Sequence, residues 1–192
     1  MKHLLIILLF ISANSQCFSQ EEKTPFFNMS DHIGGFGGVE LTMNNDLKFN
    51  VSGEGAFLFR NFYVGGFGGG ASYDDQLSSI DNYYYNLSSG MGGFSLGAYS
   101  NTHNFLALFV ETKFGFGEAL ARRNLSASIY EEYSHSLFAF IPKIGLSINP
   151  IKPMQIRIDA AYQLTNSFDL NGISNEAFEG IVFGIGLYLG YF

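Results

Sequence analysis

Four groups of residues in this sequence have types and spacings that could do chemistry. His135 stands between Ser134 and Ser136 and follows Glu131 and Glu132, the side chains from which a nucleophile, base and carboxylate for acyl transfer are drawn. Residue types alone do not make such a triad, and the spacing adds no support; a solvated loop near a rim accounts for the same residues. Asp74, Asp75 and Asp81 could supply oxygens to Ca²⁺, but their spacing is not that of a helix–loop–helix calcium loop. A polar loop above an aromatic girdle built from Tyr83, Tyr84 and Tyr85 is the plainer reading. The run Gly66-Phe67-Gly68-Gly69-Gly70-Ala71 fits the glycine pattern of a dinucleotide loop. That pattern needs a helix directly after it to receive the pyrophosphate, and Tyr73-Asp74-Asp75 and a turn follow instead. The fourth group is the most informative. Glu40, Glu54, Glu111, Lys113, Lys143, Arg157 and Asp159 sit at alternating positions opposite apolar side chains.

The elements that position these residues are strands. In 47–59, Leu47, Phe49, Val51, Phe57 and Phe59 fall on one face and Lys48, Asn50, Ser52 and Glu54 on the other. Residues 154–165 repeat the pattern, with Met154, Ile156, Ile158, Tyr162 and Leu164 opposed to Gln155, Arg157, Asp159 and Gln163. Segments 105–118, 136–148 and 181–191 alternate in the same way, and 32–44, 62–72 and 83–99 less cleanly, which makes eight strands. Glycine and aromatic content blurs the parity of 62–72 and 83–99, and a bulge is expected in the second of these. Pro142 lies inside a strand, where its missing donor predicts a bulge or a strand end.

The joints after strands two, four and six are short, at 60–61, 100–104 and 149–153; those after three, five and seven are long, at 73–82, 119–135 and 166–175. Tight turns at one end and long loops at the other are the habit of membrane barrels. A soluble, lipocalin-like barrel would present the same two-faced strands. The membrane reading is favoured because an eight-strand lumen is narrow, so small residues belong inside and large apolar ones outside. The fold expected is all-β, an eight-stranded antiparallel up-and-down transmembrane β-barrel.

Composition agrees. The 192 residues are 17% aromatic and only 14% charged, where about 25% is usual, with 23 Gly and 4 Pro. This excludes a disordered chain and disfavours a helical bundle. A net charge of −7 excludes a nucleic-acid surface, which needs clustered Lys and Arg. Lys2 and His3 precede the apolar run 4–11, too short to cross a bilayer as a helix, and small polar residues follow. That is a secretory signal, read as 1–19 with cleavage at Ser19|Gln20, then an N-terminal periplasmic segment 20–31 and the barrel 32–192. Cys17 offers a second reading, lipidation after a cut at Gln16|Cys17, although Gln16 is a poor residue before such a cut.

The chain ends Gly184-Ile185-Gly186-Leu187-Tyr188-Leu189-Gly190-Tyr191-Phe192, an alternating strand closing on aromatics. It resembles the insertion signal of Gram-negative outer-membrane barrels, with Phe192 one residue beyond the outward parity that ends at Tyr191. With Gly34-Gly35-Phe36-Gly37-Gly38 and its echo at 65–69, the chain resembles small bacterial outer-membrane barrels of the OmpA/OmpX-like eight-strand class. The resemblance implies an outer-membrane location in a Gram-negative bacterium, contact with outer-membrane lipid, and insertion machinery engaged through the strand ending Tyr191, Phe192. It implies no one activity.

Within that fold the seven charged residues are expected in the lumen as a structural network, four acids against three bases. Counting back from the 149–153 turn pairs Lys143 with Asp159. No catalytic residue, metal or cofactor is expected. The function expected is structural, or surface binding of an unknown ligand through the external loops. The alternatives are a narrow channel, an enzyme at the rim around His135, and a soluble ligand-binding barrel.

Overall fold

The structure, a computed structural model, describes residues 33–44, 49–78, 80–100, 105–126, 129–167, 169–173 and 178–192. The signal segment with Cys17, the 20–31 segment, His32 and His103 lie outside the described residues. Eight strands follow one another: β1 Ile33–Asn44, β2 Phe49–Phe59, β3 Phe62–Leu77, β4 Tyr84–Tyr99, β5 Leu106–Ser126, β6 Ile129–Ile151, β7 Met154–Thr165 and β8 Gly180–Tyr191. Each pairs antiparallel with its sequence neighbours, and β8 pairs with β1, closing the barrel.

Alternation decides which side chains face out. On β8, Ile181, Phe183, Ile185, Leu187, Leu189 and Tyr191 are all exposed, while Gly184, Gly186 and Tyr188 between them are buried. At about 3.3 Å per residue and a tilt near 40°, that outward row covers about 25 Å, the height of a membrane barrel's apolar band. Among the described residues no helix is long and apolar enough to cross a membrane.

Large side chains nevertheless occupy the lumen, against the expectation that only small ones fit there. Tyr63, Tyr99, Phe109 and Tyr188 are each 2% exposed or less. Inward glycines on neighbouring strands make the room. A Cβ on Gly97 would fall within the Tyr63 ring, one on Gly38 would lie 2.5 Å from Tyr188, and one on Gly145 2.7 Å from Phe109. Outward glycines carry no such duty: a Cβ on Gly90 meets nothing within 4 Å. Gly97→Ala is therefore expected to lower stability by about 1–3 kcal/mol through overpacking, and Gly90→Ala to stay within about 0.5 kcal/mol of the parent. Urea midpoints of the refolded protein in detergent measure both, and equal midpoints would remove this account of the inward glycines.

Several local expectations are corrected. The expected 119–135 loop is mostly strand, because β5 and β6 run on as a hairpin to Ser126 and Ile129. The 73–82 loop shrinks likewise, since β3 reaches Leu77. The bulge expected in the fourth strand lies in β3: Tyr73 pairs with Leu87 and Gln76 with Tyr85, so β3 holds the extra residue. Pro142 causes neither bulge nor strand end. It keeps its place opposite Thr112 on β5, while the ladder to β7 skips 141–142 and resumes unshifted at Lys143↔Ala161. The turn after β6 is Lys152-Pro153, because β6 reaches Ile151.

Candidate functional site

Two places could carry function: the filled lumen and a sheet that outgrows the barrel. The lumen is layered. At its lower end, the end of the short turns, Phe36, Ala56, Leu58, Tyr63, Tyr99, Phe109 and Tyr188 form a buried floor against which Phe192 packs. Phe192 stacks on Phe36 with ring centres 5.5 Å apart. The Arg157 guanidinium sits among these rings, 3.8 Å from the centre of Tyr188 and 4.4 Å from that of Phe36. Its Nε donates to Gln155 Oε1 at 2.7 Å, and its Nη2 donates to the Tyr99 hydroxyl, which itself donates to Gln155. A cation held this way by rings and polar tips closes the floor.

The middle layer contains the other six charged residues singled out in the sequence, and none of the seven is more than 7% exposed. Lys113 Nζ lies 2.7 Å from Glu40, 3.2 Å from Glu54 and 3.3 Å from Glu111. Lys143 Nζ pairs with Glu40 and lies 3.5 Å from Asp159 and 3.7 Å from Glu111. Arg157 Nη1 reaches Glu111 at 3.5 Å. Ser95 donates to Glu54 at 2.8 Å and Tyr63 to Glu111 at 2.5 Å. Lys143 and Asp159 thus meet, but not as directly opposed partners: Lys143 faces Ala161 and Asp159 faces Gly145. The nearest carboxylate of Lys143 is Glu40, contributed from across the lumen by β1. Above this layer is a cavity of about 40 Å³ lined in part by Thr42, Asn50, Ser52, Phe67 and Gln163, with room for roughly three waters.

Sequence reasoning passed over Tyr63, Tyr99 and Ser95. Their hairpins carry the signal: the two-residue turn Arg60-Asn61 fixes Tyr63 opposite Leu58, and that register makes Tyr63 inward.

Over the upper end lies an apolar roof. Leu170, Ile173 and Phe178 pack on Tyr85, Leu87, Ala119, Ala121 and Leu137. Asn171 and Gly172 both have positive φ, 53° and 82°, and Leu170 and Ile173 exchange backbone hydrogen bonds of 2.9 and 3.2 Å. This is a two-residue turn that Asn-Gly favours, a signal present in the sequence and not used there. Asn171 Nδ2 donates to Asp81 at 3.0 Å, and Tyr85 donates to Asp81 at 2.7 Å. Those bonds, with that of Tyr85 first, hold the Asp81 carboxyl down at about 2, below its ordinary value near 3.8. Its contribution to the roof is complete above that ordinary value and fades only as pH falls through about 2.

The sheet is the second place. Among the described residues, β2 pairs with β3 up to Ala71 and β6 with β7 up to Ala139↔Thr165. Above those points β3, β4, β5 and β6 continue as an open sheet, with β5–β6 pairs up to Ser126↔Ile129. Arg122 bonds Glu132 on its outer face, and Arg123 stacks on Tyr83 with its guanidinium 3.7 Å from the ring centre. Glu131 lies 3.9 Å from Arg123, and His135 Nδ1 lies 3.0 Å from the Ser136 carbonyl. The two glutamates before His135 are thus drawn to arginines. Asp74 and Asp75 belong to β3, but their side chains lie outside those described; only Asp81 of the three is placed, and it serves the roof. Tyr84 is exposed while Tyr85 is fully buried, so the three tyrosines do not form one girdle. Residues 66–71 are β3 strand, with no helix after them. Among the described residues no group of three or more His, Cys, Asp or Glu is arranged to hold a metal.

No protein-family model and no curated protein sequence matches the chain. Among solved structures it is similar to Neisserial surface protein A, with a TM-score of 0.54 and 7% identity over 83% of this chain and 94% of that one. It is also similar to Ail, the attachment invasion locus protein of Yersinia pestis, at a TM-score of 0.37 and 17% identity, over 83% and 95% of the two chains. At 7% identity the likeness to Neisserial surface protein A is one of fold. The chain has the closed, eight-stranded, up-and-down architecture of the small outer-membrane barrels, and it is a transmembrane β-barrel.

Proposed function

We propose that this protein is exported by its 1–19 signal, inserted into the outer membrane of a Gram-negative bacterium, and acts there without enzymatic activity as a surface-binding protein. Insertion would use the strand ending Tyr191, Phe192, and the 20–31 segment would stay in the periplasm. The observation that carries the binding role is the open sheet above the closed wall. Phe138 and Ser136 of β6 turn their backbone groups toward the β7 side, where the Asn166 side chain and backbone take them up. By alternation Ser134 and Glu132 point the same way, and no described strand pairs with β6 above Ala139. Such an edge can receive an extended segment of another protein by strand addition. The charged layer and the floor fit a structural role, holding a closed wall beneath the sheet.

Two measurements test this. The folded protein is expected to need detergent and to migrate differently on gels before and after boiling; recovery from the soluble periplasm would refute the membrane reading. Cells carrying the intact chain are expected to bind immobilised extracellular proteins that cells lacking it do not. Ser134→Pro removes an edge donor without touching the closed wall, and is expected to lower that binding about tenfold while the gel shift persists. Unchanged binding would move the contact away from this edge.

A further inference from the structure

The lipid-facing wall is not uniform. On its lower half, across β3, β4 and β5, lies a groove of about 750 Å³. Its bed is made by neighbouring rows of the sheet: Phe62, Ala98 and Val110 in one, Val64, Leu96 and Thr112 in the next. Ala98, the smallest of these, leaves a dip between Phe62 and Val110. Above the bed, Phe94, Phe114 and Phe140 form a ridge across three strands, with ring centres 5.1 and 5.2 Å apart. Below it, Phe59 and Phe62 flank the turn that holds Arg60, which is exposed at the lower rim.

We propose that this groove seats one phospholipid of the inner leaflet, an acyl chain lying along the Ala98–Thr112 bed and the phosphate meeting Arg60. The proposal rests on the membrane placement argued above. Size supports it. From Val110 at the foot to Phe114 at the ridge is four residues of β5, about 13 Å along the strand and, at a tilt near 40°, about 10 Å of depth, some two thirds of the roughly 15 Å of one leaflet's hydrocarbon. Charge supports it as well. Arg60 stands at the lower end of the groove, at the level of headgroups, and a guanidinium suits a phosphate. The aromatic ridge closes the groove at its upper end, so a chain entering from the lower rim fits and one descending from the outer leaflet does not. A lipid held in this way fills a concavity of the wall, unlike the exchanging lipids around the rest of the barrel.

The test is native mass spectrometry of the full chain, extracted from outer membranes in a mild nonionic detergent and washed. The wild type is expected to retain one phospholipid. Ala98→Trp fills the dip and should cut occupancy at least tenfold; Val110→Trp does so from the next strand, should the first variant fold poorly. Arg60→Gln should cut it several-fold. Ile158→Trp, on the opposite wall, should leave it unchanged. Boiled and unboiled samples on gels identify folded barrel in every variant, which separates failure of the membrane reading from failure of the lipid seat. A folded wild type without lipid, equal retention in Ala98→Trp and Val110→Trp, or lipopolysaccharide in place of phospholipid would each overturn the proposal.

Discussion

Lys113→Met is expected to be the most damaging single substitution in the lumen, lowering stability by about 3–5 kcal/mol. Three carboxylates lie within 3.3 Å of this one ammonium, and among the described residues it is the only cation within ion-pair distance of Glu54. Counting Arg157 below the layer, four acids already face only three bases. Removing Lys113 deepens that imbalance and leaves buried carboxylates without their nearest counter-charge. Asp159→Asn should behave in the opposite way. It removes one acid of the surplus, and Lys143, the one cation within ion-pair distance of it among the described residues, is 3.5 Å away and has Glu40 closer. Its cost should stay below about 1 kcal/mol, the range of a modest pair. The urea midpoint in detergent measures both changes. Double-mutant cycles add a finer reading: Lys143 should couple to Glu40 more strongly than to Asp159. Equal midpoints for Lys113→Met and Asp159→Asn would mean that the layer does not act as an ion-paired network.

Ile185→Lys should cost about 2–4 kcal/mol, because it places a charge on the lipid face near the middle of the band. Ile185 is 53% exposed, with Phe183 and Leu187 beside it on the same outward row. The same change at Ile181, four residues nearer the upper rim, should cost about 0–1 kcal/mol, since a lysine there reaches water. The depth dependence is the informative part. In a barrel surrounded by water both substitutions would be harmless, and Ile185→Lys would improve solubility. Unfolding free energies in lipid vesicles give the two values, and a cost independent of height would count against a bilayer around this wall.

The barrel was readable where lipid and lumen oppose each other. Residues such as Phe57 and Glu54, or Ile158 and Arg157, differ so strongly in hydropathy that alternation fixes their faces. Above the rim both faces of β5 and β6 meet water or the roof. Arg122, Arg123, Glu131 and Glu132 therefore interrupt the pattern while the backbone ladder continues, and a strand reads as a loop. Parity also failed on β3 and β4, where outward glycines bear no side chain and inward tyrosines bring apolar rings into the lumen. Lys143 and Asp159 do pair, at 3.5 Å, but out of the expected register, for a geometric reason. Centring the turn on 149–153 assumed that β6 ended early, and its extension to Ile151 moves the register by two residues. Nothing in the sequence alone marked the groove beside Arg60, because it arises from the sizes of side chains on three strands.

The charged layer also bears on the order in which the wall can close. Glu40 belongs to β1, while Lys113 and Lys143 arrive 73 and 103 residues later on β5 and β6. Before β1 meets β8, these ammonium groups have lost part of their water without their nearest carboxylate. Sealing the seam then delivers the missing counter-charge in the same step that forms the last ladder. A half-zipped barrel is penalised, and closure becomes all-or-none in time. Contacts this distant in sequence also predict slow folding, with a rate-limiting step that should slow further in Glu40→Gln, whose side chain can still bond but no longer neutralise.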